Sequence, residues 1–245
     1  MSSNMSELIS NLNKHHSLSE RMKWSEGRIE VKKERRPAKE ELPVAEKKRK
    51  EVLYEPAMED TLFWCIYYML SDEHQMEHAS KSPFATRAAK LIEWTTLIRE
   101  HKTELKAMKI KCSEVEMALS ERYMSPIVCA ALATVVGKPI ILISGNTYFK
   151  TGVSSDAEEY QVICKDKHGD HWVIKESLPL SSATLVTRHK LECIPGAKTL
   201  KAVGSYSKSD LEELCIKLGL PRMGANNKAL NKSEMYRAIN DFVSL

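Results

Sequence analysis

The sequence predicts an α+β fold, because its helical and strand-like segments are segregated along the chain. Helical patterns with capping signals fill residues 60–137, and short apolar runs separated by turns follow over residues 139–174. This order favours helices packed on a small antiparallel sheet, whereas a parallel sheet requires strands and helices to alternate. We also expect a disordered basic tail before this domain and a small helical domain after it.

The composition is that of a protein with a globular core. Of 245 residues, 42% are hydrophobic and the net charge is only +4, which excludes a wholly disordered chain and a strongly basic, histone-like protein. No apolar run approaches the roughly 18 residues that cross a bilayer, and the N-terminus lacks the apolar segment of a signal peptide. We therefore expect a protein that stays inside a cell and has no membrane partner.

Residues 1–56 predict a charged, disordered tail. The stretch over residues 30–55 carries two prolines and almost no apolar periodicity, so it cannot bury enough surface to offset the entropy of ordering. Lys47 to Lys50 is a run of four cations, which fits a nuclear-import signal or a patch that neutralises nucleic-acid phosphates. A solvated linker explains the same run equally well.

The first predicted helix begins at Asp60 or Thr61, either of which can cap it, and runs to Leu70. Its side chains are apolar on nearly every face, so we expect it to be buried at the centre of a domain. Further helices are predicted over residues 83–99, 113–121 and 125–137. In the second of these, Ser113 and Glu116 have the spacing of a capping box.

Short apolar runs bounded by turn residues predict the strands that follow. They cover residues 139–144, 148–149, 160–164 and 171–174. Residues 178–204 predict one or two further strands, with ATLVT at residues 183–187 as the candidate segment, and then a hinge with proline and glycine.

The cysteines give no sign of a metal site. They stand at positions 65, 112, 129, 164, 193 and 215, and no two of them form a CxxC pair. Scattered cysteines of this kind are typical of reduced thiols buried as small hydrophobic side chains. The chain also lacks the GxxxxGK pattern of a nucleotide-binding loop. We therefore predict neither a metal nor a cofactor.

Residues 57–180 resemble the papain-like cysteine peptidases, most specifically their ovarian-tumour (OTU) branch. The resemblance depends on the segment Asp60–Cys65 (DTLFWC), on the helix and strand over Ser125–Ser144, and on His171 after a Gly-Asp turn. The Asp-x-Leu-Phe-Trp-Cys segment also resembles one in uncharacterised proteins of large cytoplasmic DNA viruses. The resemblance implies an OTU-like domain over residues 57–196.

The resemblance also implies a catalytic site. Cys65 would be the nucleophile, His171 the base, and Asp60 or Asp170 the group that orients the imidazole ring. The substrate would be a ubiquitin-like or viral polypeptide, cleaved at a peptide or isopeptide bond. In the OTU pattern, however, the nucleophile directly precedes the Leu-Phe pair, and that position is Thr61 here. Either the nucleophile has moved to Cys65 or the site is inactive.

Interpretations that need no catalysis stay open for both residues. Cys65 lies among aromatic residues, where a thiol that only fills the core is common. His171 stands at the edge of a strand beside an acidic turn, which is typical of a surface histidine, and His168 is a rival for its role.

Residues 197–245 predict a helix, an extended loop and a second helix, and they resemble the SAP family of small nucleic-acid-binding modules. The first helix opens at Ser207 with a capping box and stops at Gly219, and the second covers residues 232–243. Six cations are candidates for contact with the phosphates of DNA or RNA: Lys208, Lys217, Arg222, Lys228, Lys232 and Arg237. The alternative is a helical hairpin that packs on the main domain or on a partner.

Two functions of different classes follow. The first is an OTU-like cysteine peptidase, such as a deubiquitinase, tethered by its C-terminal module to nucleic acid or a virion core. The second is a catalytically inactive, virion-associated scaffold or nucleic-acid-binding protein. Both imply a location in the host cytoplasm or nucleus, or packaging in the virion.

Overall fold

The computed structural model describes residues 52–151, 157–223 and 228–244. The chain divides into two units at Tyr54, and the fold below is that of the second, Tyr54–Leu245. Almost all of the predicted tail, including its run of four cations, therefore lies outside the described residues.

A group of helices precedes most of the strands. The sequence predicts those that begin near residues 60, 83, 113 and 125, but not the two that begin at Glu73 and Lys102. The helices are α1 (Thr61–Leu70), α2 (Glu73–Lys81), α3 (Pro83–Glu100), α4 (Lys102–Ala107), α5 (Cys112–Leu119) and α6 (Pro126–Val136). Helix α1 begins where the side chain of Asp60 accepts a hydrogen bond from the backbone of Phe63. Helix α6 ends at Gly137, whose φ of 69° is the left-handed conformation that glycine adopts without strain.

The capping box predicted from Ser113 and Glu116 is wrong. Helix α5 begins at Cys112, one residue earlier, so Ser113 lies inside the helix. The carboxylate of Glu116 instead pairs with Arg99 of α3 at 3.0 Å. Because the Glu116 side chain forms this ion pair between α3 and α5, it does not close a capping box.

Among the described residues, every strand except the short one at Leu53–Tyr54 follows helices α1 to α6. The α+β class is confirmed. The strands are β1 (Leu53–Tyr54), β2 (Ile140–Ser144), β3 (Thr147–Thr151), β4 (Glu159–Lys165), β5 (His171–Ile174), β6 (Leu178–Pro179) and β7 (Leu191–Cys193). Neighbouring strands run in the order β5, β4, β2, β3, β7, and β6 pairs with the start of β4.

The sheet is mixed, so the prediction of an antiparallel sheet is wrong in this respect. Strand β4 pairs with β2 in parallel, and β7 pairs with β3 in parallel, whereas β2–β3 and β4–β5 are antiparallel. The cause is the position of β4. Because the chain reverses once into β3 and again into β4, β4 runs in the direction of β2, beside which it lies.

The strand predicted over residues 183–187 is also wrong, because these residues belong to helix α7 (Leu180–Thr187). The β-branched residues of this segment favour a strand only weakly, and tertiary context overrides such a preference. The hydroxyls of Thr184 and Thr187 donate to the carbonyls of Leu180 and Ala183, one helical turn earlier. This satisfies both hydroxyls within the helix.

Helix α1 lies at the centre of the main core, as the sequence predicts. Seven of its ten residues are buried, and its side chains pack with α3, α5, α6 and the inner face of the sheet. Phe63 makes aromatic contacts with Trp64, Tyr67 and Trp94. Because α1 also packs on β5, the start of the helix and the start of that strand are held together.

A second core lies at the C-terminal end. After a short 3-10 helix at Val203–Ser205, helices α8 (Lys208–Leu218) and α9 (Lys232–Val243) form the predicted pair. Helix α8 has the capping box that the sequence predicts at Ser207, and α9 has one at Asn231 that was not predicted. Their core consists of Leu211, Cys215, Leu218, Met235 and Ile239 together with Leu191 and Cys193 of β7. The predicted domain boundary at residues 196/197 stays a prediction, and the cluster has members on both sides of it.

Candidate functional site

Thr61 and His171 meet where α1 and β5 begin. The hydroxyl oxygen of Thr61 lies 3.1 Å from Nδ1 of the His171 ring. The same oxygen accepts a hydrogen bond of 2.9 Å from the backbone N–H of His171. The hydroxyl can therefore accept from the backbone and donate its own hydrogen to the ring, which joins the helix to the strand by two bonds.

The imidazole of His171 is held in its neutral form. Burial, and next the positive charge of Lys165, lower its pKa to about 4, although Asp60, Asp170 and Asp166 act in the opposite direction. A neutral ring offers one nitrogen that accepts a hydrogen bond, which suits the hydroxyl of Thr61. A general base works best with a pKa near the operating pH, and the pKa of His171 lies well below that range.

Asp60 is an anchor for the start of α1. It is buried, and its φ of 57° places it in the left-handed region. One carboxylate oxygen accepts from the backbone N–H of Met124 at 2.9 Å, and the other binds Arg87 at 2.7 Å. Together with the cap on Phe63, these bonds occupy the carboxylate. In the described part of the chain, the ring of His171 has no hydrogen bond to Asp60, the residue predicted to orient it.

Cys65 lies one helical turn after Thr61 and is fully buried, with no exposed surface. Burial raises the pKa of its thiol, and the neighbouring Cys129 and Cys164 raise it further. A thiol must ionise to act as a nucleophile, so this setting keeps Cys65 unreactive. The hydroxyl that His171 contacts belongs to Thr61, at the position where the OTU pattern has its cysteine.

A cavity of about 240 Å³ opens beside His171. Its apolar wall includes Leu62 of α1, Pro126 of α6, and Leu142 and Phe149 of the sheet. Its polar wall includes Ser144 and Lys165, which end the adjacent parallel strands β2 and β4. Sequence reasoning missed these two residues, although the ends of adjacent parallel strands are a common location for binding sites.

The six cations predicted to bind nucleic acid are distributed over the C-terminal helix pair. Lys232 is half-buried, and the other five are exposed: Lys208, Lys217, Arg222, Lys228 and Arg237. Lys208 faces Glu212 at 3.8 Å in an exposed pair that contributes little to stability. Arg222 and Lys228 lie between the two helices, each next to a residue of the antiparallel β-bridge that Met223 and Ala229 form. The two predicted helices are present, and the predicted extended loop between them falls partly outside the described residues.

The described residues contain no cluster of three or more His, Cys, Asp or Glu side chains arranged to hold a metal ion. Among the same residues, no helix has the length and apolar character that a membrane crossing requires.

Comparisons with family models, with curated proteins and with solved structures found no match to this chain.

Proposed function

We propose that this protein is a non-catalytic binding protein with an OTU-like fold, which contacts nucleic acid through its C-terminal helix pair. The observation that carries the proposal is the Thr61–His171 pair. An OTU-like peptidase needs a thiol beside the histidine, and this chain has a threonine hydroxyl there that bonds both the ring and the backbone of His171. The nearest cysteine in sequence, Cys65, is enclosed in the core.

A threonine nucleophile is poorly supported by the same geometry. Activation of a hydroxyl requires a histidine that a third group orients and whose pKa suits proton transfer. The pKa of His171 is lowered to about 4. Among the described residues, no carboxylate orients its ring through a hydrogen bond; Asp60 is committed to Arg87, Met124 and Phe63.

Electrophile labelling tests the absence of catalysis. A ubiquitin-derived electrophile should leave the native chain unlabelled, because Cys65 is buried. Thr61→Cys places a thiol beside His171, and we expect this variant to be labelled if the site retains the OTU-like arrangement. The matched control is Thr61→Ser, which keeps the hydroxyl and should stay unlabelled. Labelling of the native chain that Cys65→Ala abolishes would establish the peptidase and overturn the proposal.

The proposed contact with nucleic acid is supported by the exposed cations of α8, α9 and the segment between them. Cations that neutralise phosphates release counterions, so affinity falls steeply with salt. Arg222 and Lys228 are exposed, and each lies next to a residue of the Met223–Ala229 bridge, which brings both cations to the same part of the surface. The tail cations over residues 47–50 would add to the same effect, and a nuclear or virion location would bring the protein to nucleic acid.

A salt titration of the full chain tests this contact. Fluorescence anisotropy with one DNA duplex and one single-stranded RNA should give affinities that decrease with salt. The double variant Arg222→Gln/Lys228→Gln should weaken binding to the duplex and reduce the slope of log affinity against log salt by about 0.9 for each phosphate that is no longer neutralised. The control is Lys102→Gln/Lys106→Gln, which removes exposed cations from α4. It should change neither the affinity for the duplex nor the slope. The proposal would be contradicted by binding that is insensitive to salt, or by an equal decrease of affinity in the two double variants.

A further inference from the structure

A row of four polar residues crosses the sheet beside the cavity. Thr147 of β3 pairs in register with Ser144 of β2, Ser144 with Lys165 of β4, and Lys165 with His171 of β5. Residues that pair across neighbouring strands project to the same face of a sheet. All four therefore face one way, and all four line the cavity.

The next pair along the strands on this face is apolar. Leu142 pairs with Phe149, and both line the cavity together with Leu62, Met124 and Pro126. One side of the cavity is thus polar and the other is hydrophobic. A ligand that fits both sides has a polar group at one end and an apolar body at the other.

The polar side carries the positive charge of Lys165. Asp60, Asp166 and Asp170 are near enough to act on His171, but none of them lines the cavity. Lys165 has no ion pair with any residue in the described ranges, and no Asp or Glu is among the residues that line the cavity there. The acids closest in sequence include Asp166, which accepts from the backbone of His168 and of Asp170 within the β4–β5 turn. The polar end of the ligand is therefore expected to be an anion.

The cavity also limits the size of its ligand. A volume of about 240 Å³ is smaller than the roughly 300–1,000 Å³ of sites for drug-sized molecules. Thr147 already donates its hydroxyl to the carbonyl of Ser144. Among the residues that line the cavity, the ammonium of Lys165 and the hydroxyl of Ser144 are then donors left for a ligand, and the ring N–H of the neutral His171 is a further one. A few donors beside a small apolar wall suit a planar group with two oxygens.

We propose that this cavity binds a carboxylate carried on a small apolar body, with Lys165 and Ser144 contacting the carboxylate and Leu142 and Phe149 contacting the body. This chemistry has two sources, which are the C-terminus of a peptide that ends in an apolar residue and a free short-chain acid. The site does not include the cations of the C-terminal helix pair, so the proposal is independent of nucleic-acid binding.

Calorimetry on the full chain with N-acetyl-L-leucine and N-acetyl-L-leucinamide tests the proposal. The two probes have the same body, and only the first has a carboxylate. A charge-assisted contact makes the acid bind about tenfold more tightly than the amide. Lys165→Gln should remove this preference, and Lys165→Arg should retain most of it. Lys167→Gln is the matched control, because Lys167 is an exposed cation of the same turn.

The source of the carboxylate is resolved by two further probes. A tripeptide that ends in a free leucine should bind more tightly than 4-methylpentanoate if the ligand is a peptide C-terminus, and no more tightly if it is a free acid. Equal binding of acid and amide, no binding of the acid in the millimolar range, or an equal decrease in Lys165→Gln and Lys167→Gln would each overturn the proposal.

Discussion

The guanidinium of Arg87 lies 2.7 Å from the buried carboxylate of Asp60, and it joins α3 to the residue that precedes α1. Its charge is itself largely enclosed, since 25% of the Arg87 side chain is exposed and it lies over the ring of Phe63. The same guanidinium nitrogen donates to the carbonyl of Arg122. This one side chain therefore fixes the position of the segment that carries Thr61.

Arg87→Ala should destabilise the protein by about 2 to 4 kcal/mol, because it leaves the carboxylate of Asp60 enclosed without its partner. Urea unfolding followed by circular dichroism measures the change. The matched control is Arg122→Ala, whose pair with Glu59 is exposed on both sides and should have no measurable effect. Equal stability of the two variants would contradict the role assigned to Arg87.

His171 should make stability depend on pH. Its pKa is lowered from 6.5 to about 4 in the folded protein, so the unfolded chain binds the proton first as the pH falls. Stability is then full above about pH 6.5 and is lost as the pH falls toward 4, by up to about 3 kcal/mol. Urea unfolding at a series of pH values measures this decrease.

His171→Gln should remove this decrease between pH 6.5 and 4, whereas His168→Gln, at an exposed position of the neighbouring turn, should retain it. If both variants kept the same pH dependence, some other group would be responsible.

The cysteines should differ in their reaction with maleimide. Cys112 is half-buried, and the other five are buried, so Cys112 should react first in the native protein. Cys112→Ser should remove the fast phase, and Cys65 should be labelled only when the chain unfolds. Mass spectrometry of the labelled peptides identifies each site. Rapid labelling of Cys65 in the native state would restore it as a candidate nucleophile.

Leu191 of β7 belongs to the core of the C-terminal helix pair. Leu191→Ala should cost about 2 to 4 kcal/mol through the cavity it leaves. We expect hydrogen exchange of α8 and α9 to accelerate more than that of α1. Leu185→Ala is the control, because Leu185 is largely exposed on α7. Faster exchange confined to β7 would show that the helix pair is stable without this strand.

The elements with strong local signals could be predicted from the sequence. The fold retains the local preferences of the apolar stretch of α1, of the Ser125-Pro126 start and Gly137 end of α6, and of the capping box of α8. The parallel pairing of β4 with β2 could not be predicted in the same way. It depends on which edge of β2 the chain returns to, and no local preference encodes that choice.

The candidate site was predictable in part. The resemblance predicts Cys65, His171 and Asp60 as the catalytic residues and has Thr61 only as a departure from the OTU pattern, but the hydroxyl that contacts His171 is that of Thr61. Cys65 is predicted as the nucleophile because it is a cysteine. It lies one helical turn after Thr61, however, and that position encloses its side chain in the core. Ser144 and Lys165 carry no motif, and only the strand register brings them beside His171.

The place of β7 in the sheet has a consequence for synthesis. Strand β3 has its outer edge covered by β7, and Tyr148 bonds Glu192 across a separation of 44 residues. At about 5 to 20 residues per second, the ribosome takes several seconds to make that stretch. During those seconds the nascent chain exposes an unpaired strand edge, which is a template for aggregation. A chaperone that binds extended segments should therefore engage residues 140–151 on the ribosome and release them once β7 emerges.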